Sequence, residues 1–303
     1  MGTAKAVRGS KARIAAANGG GKHRDQRSNE RGDERGDERG DERGDDSRSA
    51  NPLFIASIGK AFEVLERLAD IGRPVGLTEL CQHASLSRSA LQRITHTLTA
   101  LGYLRQDPKT RAFTLSGKVL HLSHAMLSSD SLRDRALPHL EDLNRRTAET
   151  VNLMEMEGDE IVYVVRFPGF RAVSVDLHVG SRLPIHCSAA GRAILAEMDI
   201  EDAMRLLARV PRRAMTPHTR TELSDLRTAL QTARKRGYAL NDQESFIGDI
   251  SIAKAILNRQ REPIGAVNIA VSTSRWTVEE TLRQLLPQLL VTARAIERDV
   301  NAR

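Results

Sequence analysis

Polar and charged side chains follow one face of the segment Arg88–Ala100, and apolar side chains follow the other. Leu91, Ile94, Leu98 and Leu101 recur every three or four positions, which predicts an amphipathic helix with that side buried. Arginine can pair with the O6 and N7 atoms of guanine, and glutamine with N6 and N7 of adenine. The sequence therefore predicts a helix that reads base edges in the major groove of DNA. The residues on its exposed face are Arg88, Ser89, Gln92, Arg93, Thr95 and His96.

Hydroxyl and basic side chains close to this helix are suited to DNA phosphates. Ser87 is predicted to cap the helix, and Thr78 to cap a shorter helix over 79–83. Hydroxyls and free N–H groups at helix N-termini favour phosphate oxygens. Lys109 and Arg111 lie at the tip of a predicted hairpin, where a basic side chain can contact the minor groove or a phosphate. The predicted DNA contacts are Thr78, Ser87, Arg88, Ser89, Gln92, Arg93 and Arg111.

The elements around this helix follow the order of a winged helix-turn-helix. A helical apolar pattern over 58–71 predicts the first helix, and short alternating runs over 103–105 and 112–115 predict the hairpin. This order assigns 51–118 to a DNA-binding domain and 119–130 to a linker helix. The positions of the first helix that are expected to face the core are Ile58, Ala61, Phe62, Leu65, Leu68 and Ala69.

The remaining chain, 131–303, has strand and helix signals that predict an α+β domain. A helix leads into a hairpin, and a third strand is predicted over 172–179. A loop and a helix start follow in the sequence LPIHCSAAGRAIL. A helix over 222–236, three strands and a final helix over 278–300 complete the domain, and Pro287 is expected to kink or divide that last helix.

Composition argues against several classes of protein. Aromatic residues make up 3% of the 303 residues, too few for a protein that reads bases by stacking them on rings. The formal net charge of +7 is spread along the chain, which is compatible with nucleic-acid binding. No run approaches the roughly 18 apolar residues of a membrane span. Cys81 and Cys187 fit neither a disulfide framework nor a zinc pattern, so we expect a cytoplasmic protein without metal or cofactor.

Residues 1–50 have a composition that cannot build a core. Four copies of ERGD run from Glu30 to Asp45, and a glycine at every fourth position breaks a helix. We predict a disordered, low-complexity tail. Its basic residues could touch DNA phosphates, or the segment could lie upstream of the true start.

Four motifs occur in one order between residues 58 and 300: ASLSRSALQRITHTLTALGYL, VGSRLPIHCSAAGRAIL, RKRGYALNDQE and GDISIAKAI. Together they resemble the IclR family of bacterial transcription regulators. The resemblance implies a winged helix-turn-helix domain joined by a helix to a GAF/profilin-like α/β effector-binding domain. It also implies a homodimer or a dimer of dimers that binds double-stranded operator DNA. The implied effector is a small organic acid or an aromatic catabolite.

The resemblance further implies an effector pocket made by the loop and helix start of the second motif and by later strands. Small residues at a helix N-terminus leave room for a ligand carboxylate beside free N–H groups. Where the family often has an acidic pair, a cysteine and two serines, this chain has Asn241-Asp242, Ser251, Asn268 and Ala270. The implied effector contacts are His186, Ser188, Ala189, Ala190, Asn241, Asp249, Ser251, Asn268 and Ala270.

Two other interpretations remain open from the residues alone. A GAF-like enzyme would have to use His186 with Cys187 or a Ser/His pair, but adjacent residues point to different sides of the chain. No GxSxG, P-loop, HExxH or dinucleotide motif occurs. Alternatively, the winged helix could bind protein in place of DNA. We favour an effector-responsive, sequence-specific DNA-binding regulator of a catabolic operon.

Overall fold

The computed structural model describes residues 51–169 and 177–302. The tail predicted over 1–50 lies outside these residues, as does most of the strand predicted over 172–179. Three apolar clusters form the cores of the described parts. One lies in the N-terminal winged helix, and one lies on each face of the C-terminal sheet.

The N-terminal domain is a winged helix built on a small apolar core. Val75 exchanges two backbone hydrogen bonds with Phe113, at 3.0 and 2.8 Å, so the wing is fixed to the connection between the first two helices. Leu80, Leu91 and Leu104 are fully buried among the helices and the wing. The elements are α1 (Ala56–Ile71), α2 (Leu77–His83), α3 (Arg88–Ala100), β1 (Leu104–Gln106) and β2 (Phe113–Leu115).

The recognition helix α3 has the predicted bounds, and its predicted cap is confirmed. Ser87 Oγ accepts a hydrogen bond from the Ala90 amide at 3.3 Å. Two details differ. Thr78 does not cap α2, because the helix begins after Gly76 and has no side-chain cap. Thr95 is buried and not on the exposed face, since its hydroxyl donates back to the carbonyl of Leu91 at 3.0 Å.

Several apolar side chains that were expected in the core lie at the surface. Ile58 and Phe62 are 52% and 57% exposed, because α1 packs through Val64 and Leu68, and Leu101 is 55% exposed at the C-terminal end of α3. The linker helix α4 (Lys118–Ser129) has no buried residue among those described. The helical spacing of apolar residues therefore shows which side of α1 and α3 is apolar, but it does not show whether that side is buried in the core.

The C-terminal sheet has six antiparallel strands in the order β5-β4-β3-β8-β7-β6. They are β3 (Thr150–Glu157), β4 (Glu160–Phe167), β5 (Arg182–Pro184), β6 (Ala239–Asp242), β7 (Asp249–Leu257) and β8 (Pro263–Ser272). The chain passes from one edge to the other through α6 (Ala189–Glu197), α7 (Ile200–Arg209) and α8 (Leu223–Arg236). The predicted α+β class is confirmed.

A π-helical segment divides the last helix. The structure has α9 (Val278–Glu280), a π-helical turn over Thr281–Leu285, and α10 (Leu286–Asn301). Pro287 has no N–H to donate, and the preceding amide of Leu286 bonds to the Thr281 carbonyl five residues earlier. The predicted division near Pro287 is confirmed.

Helices cover both faces of the sheet. On one face, α5 (Ser131–Thr147) and α10 pack against strand residues such as Ile252 and Ile269. On the other face, α6, α7 and α8 pack against Met154, Ala253 and Ala266. Because side chains alternate along a strand, polar residues on the α6 face share that side with this second core.

Gly191 brings the N-terminus of α6 against the loop before it. A Cβ atom at this position would lie 2.3 Å from the carbonyl oxygen of Ile185 and 2.7 Å from its Cα. Backbone atoms cannot yield as a flexible side chain can, so only glycine fits at this distance. The close contact fixes the start of α6 above the sheet.

We expect Gly191→Ala to destabilise the C-terminal domain by about 1–3 kcal/mol, because the added methyl group forces the helix away from the loop. That corresponds to a decrease of several degrees in melting temperature, measured by circular dichroism on the full chain. Gly117→Ala is the control, since nothing lies within 4 Å of a Cβ there and its φ is −59°. Equal melting temperatures for the two variants would contradict the close-contact argument.

Candidate functional site

One concave surface collects most of the residues predicted to meet DNA. It encloses about 880 Å³ between α2, α3 and the wing. Arg88, Ser89, Gln92 and Arg93 all have exposed side chains there, so α3 offers a complete polar face to a groove. Of the predicted contacts, those that line this surface are Thr78, Arg88, Ser89, Gln92, Arg93 and Arg111. Ser87 lies beside it, with its hydroxyl 3.3 Å from that of Ser89.

The tip of the wing is held by its own hydrogen bonds. The Asp107 carboxylate accepts from the amides of Lys109 and Thr110 at 2.8 and 2.7 Å, and these bonds lower the pKa of Asp107. Gln106 Nε2 donates to the Arg111 carbonyl at 3.0 Å, and Arg111 has a φ of +60°. The wing therefore presents the Arg111 side chain from a backbone that is fixed before any ligand arrives.

A second site is a cavity of about 160 Å³ on the α6 face of the sheet. Its walls come from five strands, β3, β4, β5, β7 and β8, from the start of α6, and from the loop 245–248. Of the residues implied by the resemblance, those that line it are Ser188, Ala189, Ala190, Asp249, Ser251, Asn268 and Ala270. Side chains alternate along β8: Asn268 and Ala270 line the cavity, whereas Val267 and Ile269 pack in the core on the opposite face of the sheet.

A row of polar side chains crosses three strands at one end of the cavity. Arg166, Asn152 and Asn268 are paired neighbours on β4, β3 and β8. Arg166 Nη1 donates to Asn152 Oδ1 at 3.2 Å, and Asn152 Nδ2 donates to Asn268 Oδ1 at 2.8 Å. The Nδ2 group of Asn268, which is 4% exposed, donates to no described residue. Sequence reasoning missed Asn152 and Arg166, although Asn152 interrupts an otherwise apolar run.

The N-terminus of α6 adds donors to the same cavity. Ser188 caps the helix by accepting a hydrogen bond from the Gly191 amide at 3.0 Å. The amides of Ala189 and Ala190 have no acceptor among the described residues, as expected for the first turn of a helix. Their methyl side chains leave the approach open. This end of the cavity therefore has a positive potential and free N–H groups, which together favour an anion.

Two carboxyl groups border the cavity, and they differ in their hydrogen bonding. Glu149 accepts from Arg275 at 2.7 Å on both oxygens and from Trp276 Nε1 at 3.0 Å. The Asp249 carboxyl has no hydrogen-bond partner among the described residues. Its pKa is raised to about 7 by burial, an effect that the charge of Arg166 partly offsets. Asp249 is thus poised to bind or release a proton near neutral pH.

Two residues implied as effector contacts do not line the cavity. His186 is fully buried, and its Nε2 atom bonds to the Arg213 carbonyl at 3.1 Å, while burial lowers its pKa. Asn241 donates to the Cys187 carbonyl at 2.6 Å and accepts from the Glu244 amide at 2.9 Å. Both side chains bond to backbone groups around the loop in front of α6, so their implied contact with the effector stays a prediction that the cavity lining does not support.

The geometry does not pair Cys187 with a base. Its thiol is buried, with Sγ 3.5 Å from the Pro184 carbonyl, and burial raises its pKa. The ring of His186 bonds elsewhere. Lys254 on β7 pairs with Glu197 at 2.8 Å, outside the cavity lining.

Two other kinds of feature are absent from the part of the chain that the structure describes. No group of three or more His, Cys, Asp or Glu side chains in 51–169 and 177–302 could hold a metal ion. In the same ranges, no helix is long and apolar enough to cross a membrane.

An exposed recognition helix with a wing, joined in one chain to a domain with a small polar cavity, defines a DNA-binding regulator with a ligand-sensing domain. Residues 57–108 match the IclR helix-turn-helix domain, and 124–298 match the bacterial transcriptional regulator IclR C-terminal domain. The chain belongs to the IclR family of bacterial transcription regulators. Accordingly it is a DNA-binding transcription regulator.

Known proteins of this family resemble the chain over most of its length. The Pca regulon regulatory protein of Pseudomonas putida is 33% identical over 247 residues, which cover 81% of this chain and 84% of that protein. The crystal structure of a transcriptional regulator from Rhodococcus sp. RHA1 matches with a TM-score of 0.72 and 30% identity, covering 82% and 98% of the two chains. An IclR homologue from Microbacterium hydrocarbonoxydans, complexed with 4-hydroxybenzoate, matches with a TM-score of 0.68 and 25% identity, covering 80% and 98%.

The pKa of Asp249 predicts a pH-dependent stability. The unfolded carboxyl loses its proton near pH 4 and the folded one near 7, so the folded protein holds an extra proton between these values. Stability from this group is therefore present at low pH and falls as the pH rises through that window. We expect Asp249→Asn to melt close to the wild type at about pH 4, and at an increasingly higher temperature than the wild type as the pH rises to 8.

The comparison uses thermal melting of the full chain in matched buffers. Asp242→Asn, at an exposed carboxyl on the neighbouring strand β6, is the control and should show the same small difference at both pH values. A difference between Asp249→Asn and the wild type that does not change with pH would refute the assignment.

Proposed function

We propose that this regulator controls a catabolic operon in response to a small carboxylic acid that binds in the cavity on the α6 face. The observation that carries the proposal is a set of donors at the lining of the cavity that have no acceptor among the described residues. They are the amides of Ala189 and Ala190 and the Nδ2 group of Asn268. A carboxylate accepts hydrogen bonds from such groups and gains from the helix dipole.

The size of the cavity supports a ligand of about one ring. Cavities of about 150 Å³ accept benzene, and this one measures about 160 Å³. The relative with a bound ligand holds 4-hydroxybenzoate, a single ring with a carboxylate. Organic acids of that size, aromatic or aliphatic, are therefore the class of effector that we assign to this chain.

DNA contacts are proposed for the exposed face of α3 and for the wing. Arg88, Gln92 and Arg93 reach base edges in the major groove, and Ser87, Ser89 and Thr78 bond to phosphates beside it. Arg111 on the wing reaches an adjacent phosphate or the minor groove. An effector that binds one arrangement of the protein more tightly shifts the population toward it, and so changes operator affinity.

The DNA assignment predicts different effects for two variants. Gln92→Ala removes a base contact, so we expect a loss of about 1–3 kcal/mol on the preferred operator and relaxed specificity at one base pair. Arg111→Ala removes a phosphate contact, so affinity falls for all sequences and the slope of log K against log salt decreases by about 0.9. Fluorescence anisotropy with duplexes from the chain's own upstream region, at several salt concentrations, measures both.

Arg261→Ala is the matched control for the wing variant. Arg261 is also exposed, with a φ of +65°, but it lies in the turn between β7 and β8. It should leave operator binding unchanged. Wild-type binding that does not vary with salt, or a change in sequence preference from Arg111→Ala, would contradict the contacts proposed here.

We infer that two copies of the chain bind one operator and that their winged helices meet through α1 and α4. Phe62 is 57% exposed, and Leu120 and Leu122 on α4 are 71% and 53% exposed. Of these, Phe62 and Leu122 line an apolar groove of about 860 Å³ that includes parts of α1, α3 and α4, and Leu120 lies on α4 beside it. One surface that contains both a groove and an apolar helix can pair with itself about a twofold axis. A twofold pair also presents two recognition helices to a palindromic site.

The double substitution Phe62→Ser/Leu122→Ser tests this surface. Loss of apolar burial should weaken self-association at least about tenfold and reduce operator affinity, as measured by sedimentation equilibrium and anisotropy. Val291→Ser is the control, because Val291 is 61% exposed on α10, outside the groove. Self-association that is unchanged in the double variant would show that another surface joins the copies.

A further inference from the structure

The C-terminal end of the recognition helix α3 is held by the first residue of the linker helix α4. Lys118 Nζ donates a hydrogen bond at 2.8 Å to the carbonyl oxygen of Leu101, the residue at the C-terminal cap position of α3. The same ammonium group lies over the ring of Tyr103, 4.7 Å from its centre. A cation in this place interacts favourably with the negative end of the helix and with the face of the ring.

Ser116, just before α4, bonds to the same turn of the chain. Its hydroxyl donates to the Gly102 carbonyl and accepts from the Lys118 amide at 3.1 Å, and its own amide donates to the Tyr103 carbonyl at 2.8 Å. The three successive carbonyls of residues 101, 102 and 103 are therefore bonded by two residues at the start of α4. The stem of Lys118 crosses this turn, since a Cβ atom at Gly102 would lie 3.7 Å from Lys118 Cδ.

The rest of α4 has few other contacts that could fix its direction. None of its described residues is buried, and among the described residues Lys118 is the only α4 side chain that hydrogen-bonds outside α4. The bond between Ser128 and His124, for example, stays within the helix. The apolar groove also joins α4 to α3, but apolar contact has no direction, whereas a hydrogen bond does. The angle between α3 and α4 therefore depends on Lys118.

We propose that Lys118 is a positioning residue for operator binding, which fixes the angle between α3 and α4 and thereby the distance between the two recognition helices of a pair. The proposal rests on the twofold pairing through α1 and α4 proposed above. In that pair α4 belongs to the surface that joins the two copies. A fixed angle between α4 and α3 then places each α3 at a fixed distance from the twofold axis, and Lys118 determines how strictly the protein selects the spacing of two half-sites.

The geometry of duplex DNA makes the half-site spacing a sensitive measure of this angle. A turn of about 10 base pairs is about 34 Å long, so one added base pair moves a half-site by about 3.4 Å and rotates it by about 35°. A pair with fixed recognition helices cannot follow that change, whereas a pair with a loosened α3–α4 contact can. Lys118 is exposed, so loss of its ammonium group should alter the melting temperature little.

The substitution Lys118→Met tests the proposal, because it keeps the length of the side chain and removes the ammonium group. Fluorescence anisotropy on the full chain measures binding to its operator, located by footprinting in its own upstream region, and to duplexes with one or two base pairs added or removed between the half-sites. We expect the wild type to prefer one spacing. The preference should fall about fivefold or more in Lys118→Met, since each copy loses a charge-assisted hydrogen bond.

Two variants and a salt titration serve as controls. Lys118→Arg keeps the cation and its donors and should keep the preference for one spacing. Lys235→Met removes a positive charge from an exposed position on α8 and should behave like the wild type. The slope of log K against log salt should be the same for Lys118→Met and the wild type, because Lys118 bonds to the protein and not to a phosphate.

The outcomes separate this proposal from the pairing on which it rests. If the wild type binds all spacings equally, the copies do not hold their recognition helices at a fixed distance, which refutes the pairing and the role of Lys118 together. If the wild type prefers one spacing and Lys118→Met keeps that preference, only the role of Lys118 is refuted. An equal loss of affinity for every duplex, with a salt slope lower by about 0.9, would show that Lys118 binds a phosphate and does not position α3.

Discussion

A buried ion pair between Arg192 and Glu244 holds together the two segments that enclose the cavity. Arg192 Nη1 donates to Glu244 Oε1 at 2.7 Å, and Nη2 donates to the Leu240 carbonyl at 2.9 Å. The second carboxylate oxygen of Glu244 accepts from the Arg220 amide at 3.1 Å. Removal of one partner from such a pair costs about 3–5 kcal/mol, because the remaining charge stays buried. The position of the α6 N-terminus relative to the loop 243–248 therefore depends on this pair.

The polar groups of the C-terminal domain fall into two sets with different physical roles. Asn241 and Glu244 bond mainly to backbone groups or within the ion pair, and His186 Nε2 bonds to the Arg213 carbonyl, so these side chains determine where the loops lie. Ser251 and Asp249, in contrast, make no side-chain hydrogen bond with a described residue although both line the cavity. Buried polar groups are normally paired, so unpaired ones that face an internal space are best explained by a ligand.

The sequence was sufficient for some elements because their signals are local. The bounds of α3 follow from a serine cap and a helical apolar period, both of which act within one turn. The face of the sheet on which Asn268 lies likewise follows from the alternation of side chains along β8. Features that depend on tertiary contacts could not be predicted from the local sequence. Thr78 has the residue type of a cap, but the chain enters α2 through Gly76, and nothing in the local sequence ranks the two.

The residues around the cavity likewise divide into those that the local sequence predicts and those whose place depends on long-range contacts. His186 and Asn241 were assigned to the effector by resemblance, but they hold a loop through partners more than 25 residues away. Arg166 was missed because its place beside Asn152 depends on strand register, and register is set by pairings across the whole sheet. An apolar period has a similar limit, since Ile58 and Phe62 have the spacing of core residues and yet lie at the surface.

The separation between residues that hold the loops and residues that line the cavity explains how one fold can bind ligands of different chemistry. The close contact at Gly191 and the Arg192–Glu244 pair place the α6 donors at the cavity regardless of the strand residues that face them. The donors that we propose for a carboxylate are thus part of the scaffold. Replacement of Ser251 or Asp249 breaks no hydrogen bond among the described residues, so such a change alters the lining of the cavity with little loss of stability. Under the proposed function, specificity can therefore change at these two strand positions, whereas the proposed carboxylate donors change only together with the fold.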